Sequence, residues 1–298
     1  MRKKILGLNI DFDLTYDQVL NQIEDLIKGE GCHLVATTSP YFVMVAEEDK
    51  DFKKIVNNAA LSVPDGVGVL YAKYFLDLAN KINSRNILFP IKVFILGLYA
   101  GATGFVNRSK LGSTITGVEL TYRLCELSAE KGYTIIFLGG RRRDKSGNIM
   151  PLAEEDMSNK AANTFRRLYP NIRIIGATSR YSRDARDDDD TIQYIHDCMN
   201  RHNVDNVDLL FVAYNPIEQE KWIHRNASRI PSRVSLGIGR TFDYITDEMK
   251  QPPKVYDKLH IKWLYALLIQ PWRVRRIFMT ILLFPLKVYK SVLKNTDI

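Results

Sequence analysis

Six short apolar runs, separated by helical patterns and ending in polar turns, restrict this chain to few architectures. The runs are Leu34–Thr37, Leu61–Val63, Tyr133–Leu138, Ile172–Ile175, Val207–Ala213 and Val234–Ile238. Helical text leads up to Asn58, and Val118–Glu130, Ala161–Leu168 and Asp190–Asn200 read as helices. In Val118–Glu130, Leu120, Leu124 and Leu127 fall on one face. Strands joined by helices form a mostly parallel sheet with right-handed crossovers, so the expected class is α/β with flanking helices. Open sheets of this kind take ligands outside the carboxyl ends of their strands. The polar turns that follow the runs are therefore the candidate site.

Composition narrows the function. The chain has 298 residues, 46% hydrophobic and 26% charged, which suits one large globular α/β domain or two smaller ones. Cys32, Cys125 and Cys198 are scattered, with no CxxC pair and no His at zinc spacing, as expected of buried thiols in a reducing compartment. The start, MRKKILGLNIDFD, has too short an apolar stretch for a secretory signal. From Asp257 onward eight basic residues face two acidic ones, so this tail carries +6 of the net +8. The body is then nearly neutral, which argues against nucleic acid as a partner.

The tail also alternates in character. Val274, Ile277, Phe278, Ile281, Leu282 and Pro285 recur at spacings of three and four, and Arg273, Arg276, Thr280 and Lys287 fall elsewhere on the wheel. Its longest apolar run has about ten residues and is too short to span a bilayer. Basic amphipathic segments lie in the interface of anionic membranes; the alternative is a helix packed on the body or on a second subunit. The expected organisation is a body over 1–256 and a basic amphipathic helical appendage over 257–298. An apolar insertion spans about 76–112, and its most apolar part, Ile87–Val106, carries Pro90, Lys92 and glycines. It reads either as an interfacial or re-entrant hairpin or as a buried or partner-covered insertion.

Each strand-end turn has a chemical reading beside a plain structural one. Thr37, Thr38 and Ser39 offer hydroxyls to a sugar or diphosphate, or cap the helix starting near Tyr41. Asp65, in Pro64-Asp65-Gly66-Val67-Gly68, faces the cleft as a general base or caps the next helix. Gly66 would let the backbone approach a ligand. Gly139, Gly140 and Arg141, with Arg142 and Arg143, form a diphosphate cradle or a solvated loop. Asn215, Gln219 and Glu220 stand in VAYNPIEQEKWI, a strand, a turn and a polar helix start. Asp243 follows Gly237 and Gly239 and faces the cleft or caps a turn. Asp187 to Asp190 reads as a solvated helix start, because adjacent carboxylates do not converge on one ion.

In order, TTSP, PDGVG, ITGVEL, a strand ending in GG, YPNIRIIG, VAYNPIEQEKWI, GIGRTFDY and HIKWLYALLIQPWRVRR resemble the WecG/TagA/CpsF glycosyltransferase family from about Leu34 to Arg276. The resemblance implies a Rossmann-like fold, no cofactor, and inverting, metal-independent transfer of an N-acetylated hexosamine such as N-acetylmannosamine. The donor would be a UDP-sugar and the acceptor a polyprenyl-diphosphate-linked sugar in cell-surface polysaccharide synthesis. It implies a cytoplasmic protein, peripheral on the inner face of the cell membrane. Exposed apolar surface makes self-association plausible.

Matched to the family's motifs, Thr37 and Asp65 would be the catalytic threonine and base, and Gln219, Glu220 and Asp243 would bind substrate; Ser39, standing where the family usually has Asn, is a further substrate-binding candidate. Arg273, Arg275 and Arg276 would contact membrane or diphosphate. The chain departs from the pattern at Ser39, Thr114, Asn215, Glu218, Gln251-Pro252-Pro253, Ile261-Lys262 and Ala266. Three cationic positions, at Thr114, Glu218 and Ala266, are replaced. Arg141–Arg143, Arg240 or the tail arginines are the candidate substitutes. The alternative is an inactive paralogue acting as a membrane-bound scaffold or regulator of a glycan pathway.

Overall fold

The computed structural model describes residues 1–82, 86–141, 156–249, 256, 262–269 and 271–294. Arg142, Arg143, the polar segment after them to residue 155, Gln251–Pro253 and Ile261 lie outside the described residues. The chain opens with a hairpin, β1 (Arg2–Ile5) and β2 (Leu8–Asp11), followed by α1 (Tyr16–Lys28), β3 (His33–Thr38), α2 (Pro40–Glu48) and α3 (Lys50–Asn57). Next come β4 (Leu61–Pro64), α4 (Val67–Ala79), α5 (Phe89–Val106), α6 (Gly117–Lys131), β5 (Thr134–Gly139) and α7 (Met157–Leu168). The body ends with β6 (Arg173–Thr178), α8 (Asp188–His202), β7 (Val207–Ala213), α9 (Glu218–Asn226), β8 (Ser232–Gly237) and α10 (Thr241–Ile245).

The six anticipated strands form one parallel sheet in the order β4-β3-β8-β7-β5-β6. Parallel strands buried on both faces read as continuous apolar runs rather than alternating ones, and β5 is buried at all six positions. After β4 the chain leaves one edge and returns at β5 on the far side of the sheet. The later strands β7 and β8 fill the gap, which creates a switch point at their carboxyl ends. One face carries α1, α6, α7 and α10 over Val35, Phe137, Phe211 and Leu236. On the other face, α8 and α9 pack on Ile136, Leu210 and Val212.

The N-terminal hairpin is an addition that periodicity did not reveal. Ile5 pairs with Leu8 across a two-residue turn, Leu6-Gly7, with φ of +49° and +78°. Such turns usually carry Asn-Gly, so the sequence signal is faint. Ile5, Leu8 and Ile10 are fully buried against α3 and α4.

Ile87–Val106 is not a hairpin, and the rest of the chain buries it only in part. It holds one continuous helix, α5, because Pro90 stands in its first turn, where a missing N–H is harmless. Phe89, Val93 and Ala100 are buried, whereas Ile91, Phe94, Ile95 and Leu98 are exposed. Among the described residues no helix is long and apolar enough to cross a membrane.

The C-terminal tail is helical over Lys262–Ile269, Val274–Phe278 and Phe284–Lys294, with a π-helical turn at Met279–Leu283 between the last two. Phe284, Val288 and Val292, four residues apart, are fully buried with α4 and α5 in the core cluster that includes the hairpin. Each contributes roughly 1.5–3 kcal/mol of burial. Lys287 pairs with Glu47 on α2 at 2.8 Å. The row Val274, Phe278, Leu282 and Leu286 is exposed. The tail is thus apolar on two faces, one packed on the body and one bare.

The acidic run is not wholly solvated. Asp189 is exposed and pairs with Arg229, but Asp188 is buried. Its carboxylate accepts from Trp222 Nε1 at 2.9 Å and from Arg225 Nε at 2.7 Å, pinning α8 to α9.

Candidate active site

Because the sheet is parallel, the turns after β3, β4, β7 and β8 emerge on one side. They surround a cavity of about 240 Å³. Alternation along β3 sorts its hydroxyls. Thr38 is fully buried and bonds Ser62 Oγ at 2.7 Å, so it is structural. Thr37 and Ser39 line the cavity. Ser39 precedes α2 but makes no capping bond, and its buried Oγ has no partner.

Asp65 follows β4, and its N–H donates to Thr38 O at 2.9 Å. The residue at the start of α4 is Gly66, in a φ of +93° that a β-carbon would strain, so Asp65 does not serve as the cap. Its side chain lines the cavity. Removal from water pushes the Asp65 carboxyl up to about 6, with Arg276 opposing the rise.

The turn after β7 is strained and locked. Asn215 and Ile217 have φ of +94° and +80°, and for a β-branched residue this costs of order 1–3 kcal/mol. Glu220 holds the turn. It is fully buried, accepts from Ile217 N at 2.8 Å through Oε2 and from Gln219 Nε2 at 2.7 Å through Oε1. Gln219 Oε1 then accepts from Gly239 N at 2.9 Å, joining this turn to the one after β8. Gln219 reaches the cavity floor, while Glu220 lies beneath it. Glu218 pairs with Arg183 at 3.8 Å and does not line this cavity. Gly237 is dictated by this lock: a β-carbon there would stand 2.1 Å from Glu220 Oε1 and 2.4 Å from Gln219 Nε2.

Three guanidinium groups, of Arg240, Arg273 and Arg276, meet at the cavity. Arg240 is gripped from behind by Asp243, which does not itself line the cavity. Arg276 lies over the Tyr41 ring, 4.5 Å from its centroid. Burial, then the charges of Arg276 and Arg240, lowers Arg273 to about 10. Like charges held together in a half-buried cavity favour an anion between them. The start of α6, at Thr116 and Gly117, opens on the same cavity and adds a helix N-terminus. Arg275 is exposed and does not line this cavity.

Gly139, Gly140, Arg141 and Asn215 stand apart, on a cavity of about 40 Å³ with Tyr181 and Arg183. Both glycines have packing reasons. A β-carbon at Gly139 would come within 2.8 Å of Ala213 O, and one at Gly140 within 2.8 Å of Phe242. Arg141 donates to the carbonyls of Ser179 and Arg180. Beyond their place inside strand-end motifs, nothing in the sequence marks Tyr41 and Tyr244 as site residues or Arg240 and Asp243 as a pair.

A parallel sheet with a desolvated carboxylate and clustered cations at its switch point is the build of a group-transfer enzyme. The chain matches the Glycosyl transferase WecG/TagA/CpsF family over residues 3–89 and 100–297, and it belongs to that family of glycosyltransferases. The N-acetylglucosaminyldiphosphoundecaprenol N-acetyl-beta-D-mannosaminyltransferase of Bacillus subtilis (strain 168) is 24% identical over 243 residues, covering 82% of this chain and 74% of that protein. The protein of the same name from Staphylococcus aureus (strain MRSA252) is 22% identical over 291 residues, covering 97% and 93%. Residues 90–99, in the first part of α5, fall outside the family match.

The lock under the cavity is directly testable. Gly237→Ala forces a methyl group into the Gln219–Glu220 pair and should lower stability by roughly 1–3 kcal/mol. A thermal midpoint equal to that of the wild type would contradict the close approach.

Proposed function

We propose that this protein transfers an N-acetylated hexosamine, of the N-acetylmannosamine type, from a UDP-sugar to a polyprenyl-diphosphate-linked sugar, with inversion. The observation that carries this reading is the meeting of one desolvated carboxylate with three arginines in a single cavity. Asp65 takes the proton of the acceptor hydroxyl. The new bond forms from that oxygen to the donor's anomeric carbon as the bond to the UDP oxygen breaks on the opposite face. Charge then develops on the departing diphosphate. Arg240, Arg273 and Arg276 and the start of α6 meet it with fixed positive charge, which is the reason for reading the reaction as metal-independent. Thr37, Ser39 and Gln219 supply polar contacts to the sugars. The relatives' names support the acceptor: theirs is N-acetylglucosaminyldiphosphoundecaprenol.

The bare row Val274, Phe278, Leu282 and Leu286, beside the tail's basic residues, supports a peripheral position on an anionic bilayer. The proposed lipid-linked acceptor and nucleotide-sugar donor support reading the reaction as one of the inner face.

Three experiments test this reading. The base must be ionised, so transfer should rise with pH through an apparent pKa of about 6 and level off above it. Asp65→Asn should lower kcat by about 10²–10⁴-fold; an active variant, or a flat acid limb in the wild type, rules out Asp65 as base. Phe278→Glu with Leu282→Glu leaves the buried face of the tail intact. It should cut co-sedimentation with anionic vesicles at least about tenfold, whereas unchanged sedimentation would remove the membrane role.

A further inference from the structure

The polar cavity opens into a second, much larger one. This groove of about 910 Å³ is predominantly apolar and shares Ser39, Asp65, Thr116 and Arg276 with the polar cavity. Its walls are the start of α4, one face of α5, and the tail from Thr280 to Pro285. Nothing in sugar transfer between head groups needs so much apolar space.

The α5 wall is made of small residues. Gly97, Gly101 and Gly104 stand four and three positions apart, so they share a face, and all line the groove. None has a positive φ, so no backbone conformation requires glycine there. Each costs roughly 0.5–1 kcal/mol relative to alanine in mid-helix. At Gly97 a β-carbon would stand 3.4 Å from Tyr71 Oη and at Gly104 2.8 Å from Leu111, so packing accounts for those two; at Gly101 it would meet nothing within 4 Å, which is open groove.

We infer that this groove holds the isoprenoid chain of the acceptor lipid, with its sugar beside Asp65 and its diphosphate beside Arg108 and Arg276, the arginine that the two cavities share. The inference rests on the proposed use of a lipid-linked acceptor, and it deepens that reading by assigning a site to the tail. Three observations choose this occupant over a protein segment. The groove is continuous with the carboxylate and guanidinium that would act on the head. Its half-buried cations, Arg276 and Arg108, complement an anionic diphosphate at the mouth of an apolar trough. The outer side of the same helix exposes Ile91, Phe94 and Ile95, so a chain could enter from a bilayer without crossing water. Of the α5 residues on this wall, Gly97 and Leu98 fall outside the family match, and Ala100, Gly101, Ala102 and Gly104 fall inside it.

The test measures binding, not transfer. A long polyprenyl diphosphate and a five-carbon diphosphate are titrated in detergent micelles against wild type, Gly101→Ala and Gly101→Leu. Circular dichroism melting confirms that each variant folds. The wild type should favour the long chain at least about tenfold. Gly101→Leu should erase that preference, and Gly101→Ala should reduce it in part. Equal binding of the two lipids by the wild type, or a preference untouched by Gly101→Leu, overturns the groove assignment. A separate UDP-sugar transfer assay on the wild type keeps the two readings apart. Lost transfer with retained chain-length preference rejects the proposed reaction and supports the groove. Retained transfer without that preference rejects the groove alone.

Discussion

Glu220 is a carboxylate with no exposure to water, and the cavity is assembled around it. Burial pushes it up to about 7, while hydrogen bonds from Gln219 and the Ile217 amide oppose that rise. Its two oxygens hold a turn whose Ile217 would otherwise relax from φ +80°. Through Gln219 the same network fixes Gly239, and Arg240 follows directly in the chain. A single buried carboxylate therefore couples the ends of β7 and β8 and sets the cavity floor. An unsatisfied buried polar group costs about 1–3 kcal/mol, which makes this lock all-or-none.

The second determinant is the tail. Its buried face, Phe284, Val288 and Val292, binds it to the body core, and that attachment carries Arg273 and Arg276 to the cavity. One amphipathic segment presents two surfaces. Arg273 and Arg276 turn inward to the cavity, and the bare apolar row turns outward. The proposed membrane contact would therefore be coupled to a complete cavity, because the same helices supply both.

Much of the fold was legible because parallel strands buried on both faces announce themselves as apolar runs, and Val207–Ala213 matches its strand at both ends. The β1–β2 hairpin was not legible, since four-residue strands around Leu6-Gly7 carry neither a long period nor a usual turn pair. Nor was α5, where Pro90 and the glycines suggest a break that the first-turn position and the open groove remove. For the site, sequence order alone brought Thr37, Ser39, Asp65 and Gln219 to one edge, because the sheet is parallel. It did not separate Gly139, Gly140 and Arg141 from them, since glycines required by packing against Ala213 and Phe242 look like glycines that approach a ligand. Glu220 and Asp243 stand behind Gln219 and Arg240, a distinction that depends on side-chain direction and not on spacing.

The central claim is that arginines from the tail complete an anion-binding cavity at the sheet's switch point. Isothermal titration calorimetry of UDP against the intact protein and against Arg273→Ala tests it most directly. The account predicts that the intact protein binds UDP and that the variant binds at least about tenfold more weakly, a loss of about 1.4 kcal/mol. Equal affinity of the two proteins for UDP, or no binding by the intact protein, would contradict it.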